Sequence, residues 1–227
     1  MLLYLFRLGT IAGIDLPVPG YLIRHPDGGD ILVDTGPVPG GPIVVAPNED
    51  LVIQLAGLGV TPDQVRTVVC THLDPDHCGS HHRFPNAEFI IQREHWALAR
   101  AGGIPRLLLA KDSWDAPGLR YREVDGDCEL LPGVELIASG GHVPGHQSVL
   151  VRLPETGPLL LAADAIPNGE ALDSRTRPIF PLDLDEAATR ASTAKLVTLA
   201  EQEGALIVRG HDARQWPTLR HAPAAYR

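Results

Sequence analysis

Cysteine is scarce in this chain. Cys70, Cys78 and Cys128 are its three cysteines, and none forms a CxxC pair. An odd, scattered set leaves no room for a disulfide framework and suits a reduced, cytoplasmic protein. An excess of positive charge is also missing. The formal net charge is −9, which argues against a nucleic-acid partner held through its phosphates. Long apolar runs are absent too. Met1-Leu2-Leu3-Tyr4-Leu5-Phe6-Arg7 is apolar but too short for a signal peptide or a membrane span, and no basic stretch precedes it. It reads as a first strand, with no membrane partner expected. No internal repeat or low-complexity tract divides the chain, so residues 1–227 read as one domain. Hydrophobic residues make up 44%, enough for a substantial core. The 21 prolines and 23 glycines imply tight loops around short elements.

Short β-branched runs dominate. Residues 21–24, 31–34, 65–70, 87–92, 147–153, 159–163 and 205–208 read as strands, and 128–131 with 134–139 as a hairpin across Pro132-Gly133. Helical periodicity covers 50–58, 93–100 and 185–202. Pro37 to Pro47 reads as a loop, and Gly102 to Gly118 as irregular. Strand groups with interposed helices suggest two sheets packed face to face with helices outside, an α+β architecture.

The densest chemistry lies in Thr71-His72-Leu73-Asp74-Pro75-Asp76-His77-Cys78-Gly79, directly after the 65–70 strand. His72, Asp74, Asp76 and His77 bring imidazoles and carboxylates into one small volume. Both groups suit Zn²⁺, Fe²⁺ and Mn²⁺. Carboxylates packed this closely repel one another unless a cation intervenes. Further strands end in or near the same residue types: His142 and His146 after 134–139, Asp164 after 159–163, His211 and Asp212 after 205–208, and Asp34 after 31–33. His72, Asp74, Asp76, His77, His142, Asp164 and His211 therefore read as metal ligands. Asp34, in Asp34-Thr35-Gly36, reads either as a turn former or as a partner behind a ligand. Asp212 reads as a local hydrogen-bond partner, and Cys78 lies one past a complete set. The isolated His81, His82, His95 and His221 read as solvated.

These residues resemble the metallo-β-lactamase superfamily: a His-x-His-x-Asp-His pattern after a strand, then Gly-His, a bridging Asp and a late Gly-His. Order and context match across nearly the whole chain. Ile31-Leu32-Val33-Asp34-Thr35-Gly36, Ile91-Gln92-Arg93, Leu131-Pro132-Gly133-Val134, Pro144-Gly145-His146-Gln147-Ser148 and Gly210-His211-Asp212 are most similar to N-acyl homoserine lactonases, the quorum-quenching enzymes. The resemblance implies an αββα four-layer sandwich with two divalent metals, zinc first among them, at one edge of the sheets. It implies that His72, position 74 and His142 hold one metal, that Asp76, His77 and His211 hold the other, and that Asp164 bridges them. His146 then packs or hydrogen-bonds behind the site.

Two positions depart from the pattern. Asp74 stands where the family usually has His, and a harder oxygen donor shifts preference toward Fe²⁺, Mn²⁺ or Co²⁺. Pro167 stands where the lactonases carry a Tyr thought to steady the substrate carbonyl. The implied reaction is attack of a metal-bridging hydroxide on a lactone carbonyl, with Asp76 shuttling the proton. The partner is then a small-molecule substrate, and the protein a monomer or homodimer. Residues 37–48, 101–121 and 166–180 are the candidate selectivity segments. Ile43, Val44, Val45, Ile104, Leu107, Leu108, Leu109 and Trp114 read either as an acyl-chain pocket or as packing. The alternatives keep the site and change the substrate to another ester, a thioester, a phosphoester or a β-lactam, or make the chain an iron redox enzyme.

Overall fold

A computed structural model describes residues 1–227. Seven strands build the first sheet: β1 (Leu2–Ile11), β2 (Leu16–His25), β3 (Gly29–Val33), β4 (Ile43–Val44), β5 (Thr67–Val69), β6 (Glu88–Gln92) and β7 (Arg120–Val124), in spatial order β4-β1-β2-β3-β5-β6-β7. From β3 to β7 the pairing is parallel. Five strands build the second: β8 (Cys128–Leu131), β9 (Val134–Ala138), β10 (Gln147–Leu153), β11 (Gly157–Ala163) and β12 (Leu206–Arg209), ordered β12-β11-β10-β9-β8. Only the β11–β12 pair is parallel there. The helices are α1 (Leu51–Gly57), α2 (Arg93–Arg100), the single turn α3 (Lys111–Trp114) and α4 (Glu186–Glu203).

Strand alternation sorts the side chains into layers. Leu3 and Leu5 of β1, Ile31 and Val33 of β3, and Val149, Val151, Leu159 and Leu161 of β10 and β11 pack together between the sheets. The residues in between point outward. Tyr4, Phe6, Leu32 and Val68 meet Leu51 and Leu55 of α1, Ala99 of α2 and the 104–114 segment. Leu150, Leu160 and Ala162 meet Leu196 and Ala200 of α4. The result is the expected αββα order. Asp185 caps α4 by accepting from the Ala188 amide at 2.9 Å, and Gly204 ends it in the left-handed conformation.

Three elements depart from expectation. β7 is mostly charged and exposed, the composition of an edge strand, so its sequence carries no apolar signal. β2 starts five residues early, at Leu16, despite Pro17 and Pro19. That stretch pairs only with β1, and a proline is tolerated where no second neighbour needs its N–H. The 37–47 loop contains β4, a two-residue strand on β1. No helix is long and apolar enough to cross a membrane.

Candidate metal centre

The site forms where β3, β5, β9, β11 and β12 end. β5 leads into His72–His77, β9 into His142, β11 into Asp164 and β12 into His211. Gln147, at the start of β10, ties the two sheets together behind it. Its side-chain amide donates to the Cys70 carbonyl at 2.8 Å and the Ile90 carbonyl at 3.1 Å, and its backbone amide to the Thr71 carbonyl at 3.0 Å. Two backbone features bring the last two candidate ligands in. Ala163 takes a left-handed φ of 45° just before Asp164, a conformation that costs a non-glycine residue roughly 1–2 kcal/mol. Gly210 lies so close that a β-carbon there would stand 2.5 Å from the Ala163 carbonyl oxygen, so only glycine lets His211 approach Asp164.

The four histidines share one orientation. His77 Nδ1 meets Asp34 at 2.8 Å, His142 Nδ1 meets Asp183 at 3.1 Å, and His211 Nδ1 meets the Pro17 carbonyl at 2.8 Å. The Thr71 hydroxyl donates to Asp34 at 2.7 Å and stands 3.0 Å from His72 Nδ1. Each partner accepts, so each Nδ1 carries the proton and each Nε2 turns a lone pair toward a common centre. His72 Nε2 and His77 Nε2 are fully buried there without a hydrogen-bond partner, a costly state for a polar atom.

Asp164 faces both halves of this centre. Its Oδ1 lies 3.3 Å from His77 Nε2 and 3.1 Å from His211 Nε2, and its Oδ2 lies 3.3 Å from His142 Nε2 and 3.9 Å from His72 Nε2. Asp76 Oδ2 stands 3.5 Å from both His77 Nε2 and His211 Nε2. Zinc–ligand bonds of 2.0–2.1 Å put tetrahedral donors about 3.3–3.4 Å apart, so this second group fits a cation closely. The donor atoms of His72, Asp74 and His142 form the first group, within 4.8 Å of one another.

The electrostatics point the same way. Burial lowers the His77 imidazole, but Asp76, Asp164 and Asp34 outweigh it and raise the pKa well above the usual value. Burial likewise opposes His142, yet Asp164, Asp183 and Asp74 lift it to about 9. Burial would raise Asp164, whereas His211, His77 and His142 hold it well below the carboxylate range. A field that draws protons onto these imidazoles equally favours a divalent cation among them.

All seven expected ligands therefore converge. Asp34 combines both of its readings: it sits at φ 60° and accepts from the Thr71 amide at 2.8 Å as well as from His77. His146 lies behind His72 with ring centroids 5.1 Å apart, and Ser139 Oγ stands 2.9 Å from its Nδ1. Asp212 accepts from the amides of Gly169, Arg214 and Gln215. Cys78 directs its thiol at the Leu73 and Asp74 carbonyls, both at 3.3 Å, and stays outside the donor groups.

Two histidines read as solvated are fully buried. His95 accepts from the Leu73 amide at 2.9 Å and donates to the Pro144 carbonyl at 2.9 Å, pinning the ligand loop to the loop of His142. His81 lies against Phe89 and bonds Tyr121. Three residues escaped the sequence reading. Asp183 orients His142, the buried Arg177 sits 3.5 Å from Asp183, and Arg106 grips Asp74, its Nε 2.8 and 2.9 Å from the two carboxylate oxygens. None lies beside a strand-end motif, the signal that exposed the candidate ligands.

Residues 13–211 match the metallo-beta-lactamase superfamily. The N-acyl homoserine lactonase AttM of Azorhizobium caulinodans is 37% identical, covering 96% of this chain and 90% of that protein. The N-acyl homoserine lactonase AiiA of Bacillus thuringiensis subsp. kurstaki is 31% identical, covering 92% and 87%. A solved N-acyl homoserine lactone hydrolase, with N-hexanoyl-L-homoserine bound at its catalytic metal center, superposes with a TM-score of 0.86 at 26% identity, covering 99% of this chain and 98% of that one. Its αββα layers, its converging histidines and these matches place the chain in the metallo-β-lactamase superfamily, as a metal-dependent hydrolase related to the N-acyl homoserine lactonases.

Proposed function

We propose that this protein opens the ring of a lactone, of the N-acyl homoserine lactone class, at a centre of two divalent metal ions. One observation carries the reading: four imidazoles present Nε2 to a carboxylate, Asp164, whose two oxygens face two separate donor groups. His72, Asp74 and His142 would hold one ion, Asp76, His77 and His211 the other, with Asp164 between. Bound there, the ions lower the pKa of water and polarise an ester carbonyl. Zinc suits this mixed nitrogen and oxygen set, and Asp74 widens it to Fe²⁺, Mn²⁺ or Co²⁺.

The chain's own residues supply the rest. Ring opening adds water across the acyl–oxygen bond: its oxygen goes to the carbonyl carbon and a proton to the ring oxygen, giving a hydroxy acid. Asp76, with 20% of its side chain exposed, reaches solvent further than the other six donors and is placed to carry that proton. An open cleft of about 430 Å³ adjoins His211, with Asn168, Glu170, Arg209 and Arg214 in its wall. Its polar lining suits an amide-bearing head group. The exposed Leu108, Leu109, Leu182 and Leu184 belong to the segments bonded to His142 through Arg106 and through the Leu184 amide, and suit an acyl chain.

The test is turnover on a panel of acyl homoserine lactones, simple γ-lactones, aryl esters, a β-lactam and a phosphotriester. Lactones are expected to turn over fastest. Asp76→Asn should lower kcat by about 10²–10⁴-fold with an unchanged circular dichroism spectrum. A non-lactone substrate that outpaces every lactone overturns the substrate reading, and full turnover by Asp76→Asn overturns the role of Asp76.

A further inference from the structure

The two donor groups differ in one respect: the first already holds a cation. Arg106 Nε stands 2.8 and 2.9 Å from the oxygens of Asp74. One terminal nitrogen of the same guanidinium lies 3.5 Å from His142 Nε2 and 3.4 Å from the His142 carbonyl. Asp74 is 3% exposed, so this ion pair is shielded from bulk solvent. Asp74 Oδ2 is also the atom that completes the first group, 3.0 Å from His142 Nε2 and 3.5 Å from His72 Nε2. In the second group Asp76 faces only His77 and His211. The nearby Arg209 is engaged by Asp212.

We propose that Arg106 makes the two metal positions unequal: it competes for Asp74, so the His72–Asp74–His142 position binds its ion more weakly and loads last. This rests on the metal-centre reading above. A carboxylate whose oxygens are shared with a guanidinium donates less charge to a metal, and the guanidinium repels a dication a few ångströms away. Both effects act on the first position and leave the second nearly untouched. Arg106 is able to give way: it lies in the 3₁₀ turn Pro105–Ala110, after Gly102 and Gly103, with 18% of its side chain exposed. It is a positioning residue for Asp74, and it acts on metal affinity before any chemistry takes place.

Equilibrium dialysis of the full-length protein against zinc buffers spanning free Zn²⁺ from picomolar to micromolar, with bound zinc counted by plasma mass spectrometry, tests this. The native chain should load in two steps separated by at least about tenfold in free zinc. Arg106→Gln should tighten the weaker step by about tenfold or more and leave the tighter step in place. Arg106→Lys keeps a charge without the same grip, and should fall between. Two equal steps in the native chain overturn the proposal. So does a weaker step that Arg106→Gln leaves unmoved, or a shift confined to the tighter step. Absence of bound zinc at every concentration instead overturns the metal-centre reading itself, and the proposal with it.

Discussion

A histidine's role here depends on what faces its two nitrogens. His72, His77, His142 and His211 each have an acceptor at Nδ1 and carboxylates near Nε2, so they suit a cation. His81 faces the opposite environment. Its Nδ1 donates to Tyr121, which passes its own proton to the Trp114 carbonyl at 2.6 Å, and its Nε2 meets the Cys70 thiol at 3.8 Å. Burial, aided by His82, pushes its pKa down to about 3. The unfolded chain titrates near 6.5 and so binds the extra proton throughout the window from 6.5 down to 3. Stability therefore falls as pH drops through that window, by up to about 1.4 kcal/mol per unit. Between pH 7.5 and 5.0 the native protein should lose about 2 kcal/mol that His81→Gln does not lose. Urea denaturation of both proteins at the two pH values measures the difference; equal losses would refute it. The seven candidate ligands were legible because imidazoles and carboxylates recur at strand ends. Arg106 and Asp183 were illegible, because an arginine or aspartate in a loop becomes a partner only once folding brings the loop to Asp74 or His142.

Among the elements, the 101–121 segment separates its two readings residue by residue. Trp114 and Leu107 are fully buried, and the indole N–H donates to the Leu107 carbonyl at 2.9 Å. Ile104 joins them in the outer core. These three are packing. Leu108 and Leu109 are 43% and 72% exposed and remain free to meet a substrate. Trp114→Ala should accordingly destabilise the protein by about 3–5 kcal/mol. Leu109→Ala should change stability by no more than about 0.5 kcal/mol while shifting acyl-length preference. Denaturant midpoints and rates on short- and long-chain lactones separate the two, and a mild Trp114→Ala would count against the packing assignment. The strands were legible as short apolar runs where both faces are buried, as in β1, β10 and β11. The segment around α3 was not, because a 3₁₀ turn followed by a single α turn repeats no period long enough to read.

At the scale of the whole molecule, the donor groups join the two sheets. The loop after β5 in the first sheet contributes His72, Asp74, Asp76 and His77, and loops at the ends of β9, β11 and β12 in the second contribute His142, Asp164 and His211. That two sheets stack was foreseeable from the strand groups with interposed helices; that the site sits at one edge of both followed from the family resemblance alone, because strand order leaves the packing of one sheet edge on the other undetermined. Ions bound there act as a clamp, each worth about 2.7 kcal/mol when free metal stands a hundredfold above its Kd. Removing both with a chelator should lower Tm by roughly 10–20 °C. The size of the loss should depend on pH. Without an ion, protons on the imidazoles become the positive charge that offsets the carboxylates. His77, His142 and His211 have pKa values raised by Asp76, Asp164 and Asp183 against the opposing effect of burial, His142 to about 9. A raised pKa contributes stability that is complete below the unfolded value near 6.5 and is lost as pH climbs toward the folded value. The Tm gap between the metal-loaded and chelated protein should therefore widen from pH 6.5 to pH 9. Thermal melts across that range decide the matter, since a gap that stays constant would mean that ion and protons do not share the same sites.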